Sequence, residues 1–377
     1  MARRRAVRPS PLRPYDVLFQ MVIGKWISQA LGTMVEIGVP DQLVKGARRC
    51  SDIAREAGGS EDGLYRLLRG LASVGLFTES SDRRFRLTSM GQLLRKDHPE
   101  SLAGFARFTA HDITWRPWGC LNYSVKTGMP AFDHAFNMPI FEHFSRNPEV
   151  AAVFDDAMTS ISAMEARATS EAYDFKGVET LMDVAGGHGL LLATVLRRHK
   201  MMRGVLFDLP HVAAGASATF TRVGITGRVR IESGDFFKEL PLGADAIIMK
   251  HILHDWDDDS ATQILQVCHR ALGTRGKVLI VDPVVPSSNV PHYGKLLDLE
   301  MLVLTPRGRE RTKAEFTRLL RGAGFRLSRV MATESPLSIV EAIKALRSED
   351  NPATRTGFSI TSSHHCTVSE ARLLTAA

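Results

Sequence analysis

The sequence has few of the features that mark secreted, metal-binding or membrane proteins. Four cysteines lie far apart among 377 residues without a C-x-x-C pair, so we expect reduced thiols rather than a disulfide framework or a zinc knuckle. No apolar run reaches the roughly 18 residues that a membrane-spanning helix needs, and the start of the chain lacks the apolar region of a secretory signal. We therefore expect a cytoplasmic protein without membrane contact; an organellar transit peptide is the alternative.

The charge balance is basic, with a formal net charge of +7. Five of these charges are arginines that precede the first acidic residue, Asp16. Without them the balance falls to about +2, which gives no reason to expect a nucleic-acid partner. The same stretch contains Pro9, Pro11 and Pro14, and we predict that residues 1–14 form a disordered basic tail.

Residues 15–110 show a helical pattern followed by a short strand-like stretch. A first helix carries apolar residues on more than one face between positions 18 and 35, which favours burial or a subunit interface. A later helix is expected to be capped by Ser60 and to end at Gly75. Two short strands around a Ser-Ser-Asp turn would follow it. Helix, helix and β-hairpin are the outline of a winged-helix domain.

That outline raises DNA binding as an alternative function. Arg66 and Arg69 are available for phosphates, but the helix that would read bases carries no Asn or Gln. We favour a structural or dimerisation role. A ligand-sensing winged-helix regulator remains the alternative from another functional class.

Residues 111–175 are rich in aromatic residues and methionine and are predicted to be helical. Such residues most often form a protein core, yet together they could also wall an apolar cavity. We predict that this segment links the two domains and helps to line a small-molecule pocket through Phe144, Phe154, Met158 and Ile161.

From residue 176 to 345 the pattern alternates between strand and helix. Strands rich in Val, Ile and Leu that alternate with helices predict an α/β domain with a mostly parallel sheet. Ligands of such domains bind beyond the carboxyl ends of the strands. Residues 346–377 show no sustained period and are predicted to be disordered. Seven strands are expected, at 180–184, 205–207, 229–232, 244–249, 278–281, 326–333 and 338–342.

The first of these strands runs into the glycine-rich sequence D-V-A-G-G-H-G, residues 183–189. Glycines there let backbone N–H groups approach a ligand at the start of the next helix. A dinucleotide fingerprint would need a third glycine where this chain has Leu192. An acid followed by Gly-x-Gly fits S-adenosylmethionine better than NAD.

Two further strand ends carry acids. Asp208 follows the second strand and is placed to accept hydrogen bonds from a ribose diol; a helix cap is the alternative. Asp235 follows the third strand, where an acid beside Phe236 and Phe237 suits an adenine ring. The alternative there is a turn followed by two core phenylalanines.

The fourth strand ends in K-H-I-L-H-D-W-D-D, residues 250–258. An apolar strand that ends abruptly in His, Asp and Trp is a poor core sequence and a good active-site edge. Metal-assisted chemistry at His251 and His254 is one interpretation. Two histidines are too few for a structural zinc site and no third ligand stands at a suitable spacing, so no metal is expected.

In combination, these motifs resemble the small-molecule O-methyltransferases of the caffeate and acetylserotonin (hydroxyindole) type, including bacterial antibiotic-pathway members. The similarity covers roughly residues 15–343. The motifs are D-V-A-G-G-H-G (183–189), F-D-L-P (207–210), G-D-F-F (234–237), K-H-I-L-H-D-W (250–256) and R-G-R-E-R-T (307–312).

The resemblance implies a homodimer made by an N-terminal winged-helix domain, residues 15–110, and a Rossmann-like class I methyltransferase domain, residues 176–345, that binds S-adenosylmethionine. It implies methyl transfer to a hydroxyl, expected to be phenolic, of a small aromatic or polyketide-like natural product. Transfer to carbon, nitrogen or a carboxylate, or drift to hydroxylation or decarboxylation, are alternatives within the same fold.

Carried over residue by residue, the resemblance makes His254 the general base with Asp282 and Glu310 as flanking carboxylates. Met301 and Thr305 would join the acceptor pocket, with Thr305 where plant relatives have Asn. Cofactor contacts would come from Asp183, Gly186, Gly187, Gly189, Asp208, Leu209, Gly234, Asp235, Phe236, Phe237, Lys250, Asp255 and Trp256.

Acid–base chemistry agrees with a histidine base. A phenol of pKa near 10 is only about one part in a thousand ionised at pH 7, a shortfall of roughly 4 kcal/mol that a positioned imidazole can offset. Asp282 ends the fifth strand and should face the same crevice as His254. His251 is assigned to packing, and Asp255 to orienting the loop or neighbouring the cofactor.

Two positions invite closer inspection. Glu310 is left free because Glu315 completes a capping box with Thr312; a surface pair with Arg309 or Arg311 is the alternative. Ala185 stands where many relatives carry glycine, and its methyl group is tolerable if its φ is negative.

Overall fold

The computed structural model describes residues 13–345, apart from the side chain of His211. The predicted tail 346–377, and the tail 1–14 except for its last two residues, lie outside this range. The described chain forms two compact units. One comprises the residues up to Trp115 together with Ala152–Ile161, and the other comprises Arg116–Ala151 together with the residues from Ser162 onward.

The first unit is mainly helical with one small antiparallel sheet, in the strand order β1-β3-β2. Ser60 caps α5 as predicted, since its Oγ accepts from the Gly63 N–H at 3.3 Å. The elements are α1 (Pro14–Val22), α2 (Gly24–Glu36), α3 (Val39–Gln42), β1 (Arg48–Arg49), α4 (Cys50–Glu56), α5 (Glu61–Ser73), β2 (Phe77–Ser80), β3 (Arg84–Leu87), α6 (Ser89–Gln92) and α7 (Ala103–Ala110).

The apolar stretch predicted as one helix is two helices. The break falls at Ile23, and α2 begins at Gly24, a residue type that disfavours helix interiors by about 1 kcal/mol. Met34 and Val35 at the end of α2 are buried, whereas Leu18 and Met21 on α1 are exposed. The division explains why the sequence showed apolar residues on more than one face.

Five helices follow: α8 (Asp112–Gly119), α9 (Leu121–Thr127), α10 (Ala131–Phe136), α11 (Ile140–Arg146) and α12 (Pro148–Ala172). The last is the longest, and its residues belong to both units in turn.

The second unit is built on a seven-stranded sheet in the order β11-β12-β8-β7-β4-β5-β6. Strands β8 to β6 of that order are parallel, and β12 runs antiparallel to both of its neighbours. The elements are β4 (Thr180–Val184), α13 (Leu190–Arg198), β5 (Arg203–Asp208), α14 (Pro210–Ala213), α15 (Ala216–Arg222), β6 (Val229–Ser233), β7 (Ala246–Lys250), α16 (Asp258–Ala271), β8 (Lys277–Asp282), β9 (Val284–Val285), α17 (Tyr293–Leu304), β10 (Arg311–Thr312), α18 (Lys313–Gly322), β11 (Phe325–Ala332) and β12 (Ser338–Lys344).

The sheet is covered on both faces, which confirms the predicted α/β class. Successive residues of β7 point to opposite faces, so Ile247 and Met249 join one apolar core and Ile248 joins the other. All three are fully buried. Burial on both faces accounts for the continuous apolar runs that identified the strands.

The structure differs from the sequence prediction in short elements. The helix expected after β5 is divided into α14 and α15, and the two-residue strands β9 and β10, which pair in parallel, were not expected. None of the helices within residues 13–345 is long and apolar enough to cross a membrane.

Candidate active site

The carboxyl ends of the parallel strands bring the predicted site residues together. The chain continues from β4 to β5 and β6 on one side and places β7 and β8 on the other, so the topological switch point lies between β4 and β7. Crevices at such points bind the ligands of open α/β sheets. Asp183 lies near the end of β4, and Lys250 ends β7. The segments 183–189 and 250–258 are therefore neighbours.

The glycine loop after β4 is shaped by close backbone approaches. A Cβ on Gly186 would lie 2.6 Å from Cγ of Asp183, and one on Gly189 would lie 2.3 Å from the Phe220 ring. Gly189 also has φ +75°, which favours glycine. The N–H of Gly187 donates to Oδ2 of Asp208 at 2.8 Å. The loop thus needs its glycines and is tied to the end of β5.

Ala185 departs from the condition set by the sequence. Its φ is +53° rather than negative, while its N–H donates to the carbonyl of Phe207 at 2.8 Å. A left-handed conformation costs a residue with Cβ roughly 1–2 kcal/mol. The methyl group at this position is therefore strained, and the condition for its being tolerated fails.

The two acids of β4 and β5 have different surroundings. Asp208 accepts from the N–H groups of Gly187 and Leu209, the latter at 2.7 Å, and Leu209 rather than Asp208 occupies the N-cap position of α14. Asp183 is buried, and its Oδ2 has no hydrogen-bond partner among the described residues. Burial raises the pKa of Asp183 to about 7. An orphan oxygen beside the glycine loop marks a place for a donor group on a ligand.

The acid and aromatic residues after β6 form a compact turn. Oδ1 of Asp235 accepts from the N–H of Phe237 at 2.9 Å. Phe236 is buried in the core, and the ring centroids of Phe237 and Trp256 lie 4.7 Å apart with their planes nearly perpendicular. The N–H of Gly234 donates to the carbonyl of Asp208 at 3.1 Å. Phe236 therefore fits the alternative interpretation, in which it is a core residue that follows a turn.

His254 lies in a short 3₁₀ turn, Leu253–Asp255, and its imidazole is buried. Nδ1 lies 2.7 Å from Oε1 of Glu310, so these two residues share a hydrogen bond. Nε2 lies 3.6 Å from Oδ1 of Asp255, which is beyond hydrogen-bond length. Glu310 is thus paired with His254 inside the protein, not with an arginine on the surface.

Negative charge dominates the ionisation of His254. Burial by itself would lower its pKa, but the carboxylates of Asp255, Glu310 and Asp282 outweigh burial and raise that pKa to about 10. Burial also raises the pKa of Asp255 to about 6. These carboxylates therefore favour the protonated form of the imidazole.

Asp282 acts on His254 differently from the sequence expectation. Its Oδ1 accepts from the backbone N–H of His251 at 2.9 Å, so its charge rather than a hydrogen bond reaches His254. Asp255, which the sequence placed apart from the base, contributes more strongly to the pKa of His254. The two carboxylates closest to the imidazole are therefore Glu310, which is remote from His254 in the sequence, and Asp255, which is adjacent to it.

Arg311 positions the loop that carries His254, and sequence reasoning missed it. Its guanidinium is fully buried and donates to the carbonyls of Leu253 at 2.6 Å and Trp256 at 2.7 Å. The backbone N–H of Arg309 adds a bond to the His254 carbonyl at 2.7 Å. The motif R-G-R-E-R-T was recognised, but its spacing does not reveal that an arginine turns inward.

Glu165 on α12 is a second residue that the sequence did not reveal. Its Oε2 accepts from Nζ of Lys250 at 2.9 Å, and its Oε1 lies 3.1 Å from Nε2 of His251. Nζ of Lys250 also donates to Ser162 at 3.0 Å. His251 is therefore part of a polar cluster, which its assignment to packing did not anticipate.

The residues predicted for the acceptor pocket fall in both units. Phe144, Met301 and Thr305 belong to the unit that contains His254, and the Thr305 hydroxyl donates to the Met301 carbonyl at 2.8 Å. Phe154 lies on the part of α12 that belongs to the first unit, where its ring packs edge-on against Phe108. Met158 and Ile161 lie on that same part of α12.

Within residues 13–345, the structure gives no support for a metal centre. No group of three or more His, Cys, Asp or Glu side chains there is arranged to hold an ion.

Comparisons with known proteins match both units. The sequence profile of the O-methyltransferase domain matches residues 118–326, and that of the O-methyltransferase dimerisation domain matches residues 19–97. Phenazine O-methyltransferase from Lysobacter antibioticus is 38% identical over 327 residues, which are 87% of this chain and 95% of that protein. The mitomycin biosynthesis 6-O-methyltransferase of Streptomyces lavendulae is 37% identical, with coverages of 85% and 92%.

Comparison with solved structures points to the same family. Human N-acetylserotonin methyltransferase in complex with S-adenosylmethionine superposes with a TM-score of 0.82 at 26% identity, covering 90% of this chain and 100% of that one. The fold is that of a class I methyltransferase with a dimerisation domain. The chain belongs to the S-adenosylmethionine-dependent O-methyltransferases.

The residues present fit this cofactor. A Cβ on Gly187 would meet no protein atom within 4 Å, so the backbone of the loop borders open space there that a ligand can occupy. The orphan oxygen of Asp183 can accept from an amino or hydroxyl group of that ligand.

Proposed function

We propose that this enzyme methylates a phenolic hydroxyl of a small aromatic or polyketide-like natural product, with His254 taking the acceptor proton. The observation that carries the proposal is the buried His254–Glu310 pair, 2.7 Å long, at the switch point of the sheet. Glu310 supports one tautomer, in which Nδ1–H donates to the carboxylate and Nε2 is directed to the acceptor.

The ionisation of His254 suits a phenol. With a pKa of about 10 the imidazole holds a proton about as strongly as an ordinary phenol does. Once His254 is neutral, the phenolic proton can pass to it at little cost, and phenol with imidazole carries the same overall charge as phenolate with imidazolium. When bound, S-adenosylmethionine supplies a methyl group already activated by a sulfonium. The task of the protein is therefore proton placement and alignment.

The same proposal assigns the cofactor site to the strand ends. Gly187, Gly189 and Asp183 would line the methionine end, Asp208 the ribose, and Asp235 the adenine. Their positions at the ends of β4, β5 and β6 support this assignment. Remaining contacts are assigned to Gly186, Leu209, Gly234, Phe236, Phe237, Lys250, Asp255 and Trp256, and the acceptor pocket to Phe144, Phe154, Met158, Ile161, Met301 and Thr305.

We further propose that residues 15–110 make a homodimer, that 111–175 carry the acceptor-pocket segment and that 176–345 carry catalysis. The match of the dimerisation domain to residues 19–97 supports the first assignment. So do the apolar side chains that α1 and α2 expose, among them Phe19 and Trp26. Exposed apolar patches of this kind mark protein interfaces.

The test is methyl transfer from radiolabelled S-adenosylmethionine to a panel of phenols, amines and carboxylic acids. We expect label on a phenolic oxygen, and a fall of roughly a hundredfold or more in His254→Ala. Label on nitrogen, carbon or carboxylate would reassign the acceptor. Cofactor binding without label on any acceptor would reject the transferase assignment.

A further inference from the structure

Glu165 lies at the centre of a buried cluster of charged and polar groups. It is 4% exposed, and its two carboxylate oxygens bind different partners: Oε2 binds Nζ of Lys250 at 2.9 Å, and Oε1 lies 3.1 Å from Nε2 of His251. Ser162, one helical turn earlier on α12, accepts from the same Lys250 ammonium at 3.0 Å. The Lys250 side chain is only 13% exposed, and an unpaired ammonium in such a place is costly, so this pairing offsets its partial burial.

The cluster is electrically balanced. Burial alone would raise the pKa of Glu165, but His251 and Lys250 outweigh it and lower that pKa to about 2, so the carboxylate is ionised. Burial lowers the pKa of His251. Since an ionised carboxylate only accepts, Nε2 of a neutral His251 carries the hydrogen. Lys250 and Glu165 then cancel, and the cluster has no net charge.

The cluster borders the cofactor crevice. Lys250 and His251 follow the buried part of β7, and the neighbouring strand β4 leads into the glycine loop. The charge of Lys250 reaches Asp183 at the end of β4. The backbone N–H of His251 donates to Oδ1 of Asp282 at 2.9 Å, and the ring centroids of His251 and His254 lie 5.0 Å apart. A charge left over in this cluster would therefore act on whatever occupies the crevice.

We propose that Glu165 is a positioning residue that neutralises Lys250 and thereby allows the crevice to bind the cationic sulfonium of S-adenosylmethionine. The proposal rests on the proposed placement of the cofactor beside Lys250. Without Glu165 the ammonium would repel the sulfonium. It would not repel S-adenosylhomocysteine to the same degree, because the thioether sulfur of that product is uncharged. Glu165 thus sets how well the enzyme prefers its methyl donor to its product.

The test is calorimetric binding of both ligands, without acceptor, to wild type and to Glu165→Gln. We expect the dissociation constant for S-adenosylmethionine to rise about tenfold more than that for S-adenosylhomocysteine, the size expected for one partly screened charge. Both ligands are measured on one preparation, so a reduced folded fraction cancels in the ratio.

Glu171→Gln is the matched control. Glu171 lies on the same helix and undergoes the same change of charge, but it is partly exposed and pairs with Arg198 at 3.7 Å. Its ligand ratio should equal that of wild type. Glu165→Gln with Lys250→Met removes both charges, and this double variant should restore the ratio even if overall affinity is weaker. If Glu165→Gln alone does not fold, Lys250→Met alone leaves the charge of Glu165 uncompensated and should shift the ratio the other way, in favour of S-adenosylmethionine; an unchanged ratio in Lys250→Met would overturn the proposal.

Equal weakening of both ligands in Glu165→Gln, or an unchanged ratio, would overturn the proposal and leave Glu165 a structural residue. A ratio that stays altered in the double variant would also contradict it. Failure of the proposed function has a different signature, because wild type would then bind the cofactor without methylating a phenol.

Discussion

At the scale of single residues, the central feature is one imidazole surrounded by carboxylates. Glu310 bonds to His254 directly, while Asp255 and Asp282 act through their charge. In the proposed reaction, a protonated His254 can hold a phenolate in place, and a neutral His254 can remove a phenolic proton. In both cases of this proposal, His254 and the phenolic acceptor share one proton.

Removal of one carboxylate should change how strongly His254 holds this proton. In Glu310→Gln the pKa of His254 falls from about 10 toward its ordinary value, although Asp255 and Asp282 still raise it and the His251 ring lies 5.0 Å away. Neutral imidazole then forms at lower pH, so the rising limb of kcat/KM against pH should shift down by about one unit or more. Ionisation of the acceptor is common to both enzymes and cancels in the comparison. An unmoved limb would show that another group controls it.

At the scale of elements, the strand ends carry backbone strain where the ligand is proposed to bind. Ala185 after β4 and His251 after β7 both have positive φ, +53° and +56°. Hydrogen bonds hold them there, from Ala185 to the Phe207 carbonyl and from His251 to Asp282. Strained residues of this kind persist when their surroundings determine the conformation.

Ala185→Gly tests the strain. Glycine adopts positive φ freely, so urea unfolding should show a gain of about 0.5–1 kcal/mol even after its larger entropy loss on folding. The matched change Gly186→Ala should destabilise, because its Cβ would lie 2.6 Å from both Asp183 and Leu206. Loss of stability in Ala185→Gly would mean that the methyl contacts outweigh the strain.

Elements long enough to show a period could be predicted from the sequence. Strands such as β4 and β8 were located within a residue, because burial on both faces imposes continuous apolar runs. β1, β9 and β10 hold two residues each, which is too few for any period. The site residues likewise differ in how clearly the sequence reveals them. His254 and Glu310 stand in recognisable motifs, whereas Glu165 takes its role from Lys250, 85 residues away along the chain.

At the scale of the whole molecule, the proposed homodimer gives the exposed apolar face of α1 a partner surface. Leu18 and Met21 are 62% and 71% exposed. Burial of such side chains contributes about 25 cal/mol per Å² of apolar surface. A dimer built on this face would remove these exposed apolar side chains from water.

Negative charges introduced on the apolar face of α1 should destabilise the proposed dimer. We expect wild type to show twice the chain mass by light scattering, and Leu18→Glu with Met21→Glu to shift the population toward the monomer. Val125→Glu is the control, since Val125 is 67% exposed but lies outside the proposed dimerisation segment, residues 15–110. A monomeric wild type, or a double variant that remains dimeric, would place the interface elsewhere or remove it.

The most direct measurement compares single-turnover methyl transfer by wild type and His254→Gln to two phenols, one of pKa near 10 and one acidified to about 7. If His254 manages the acceptor proton, the variant should lose roughly a hundredfold or more with the first phenol and only a few-fold with the second, which is largely ionised already. Equal losses with both phenols, or no loss with either, would contradict the assignment of His254 as the base.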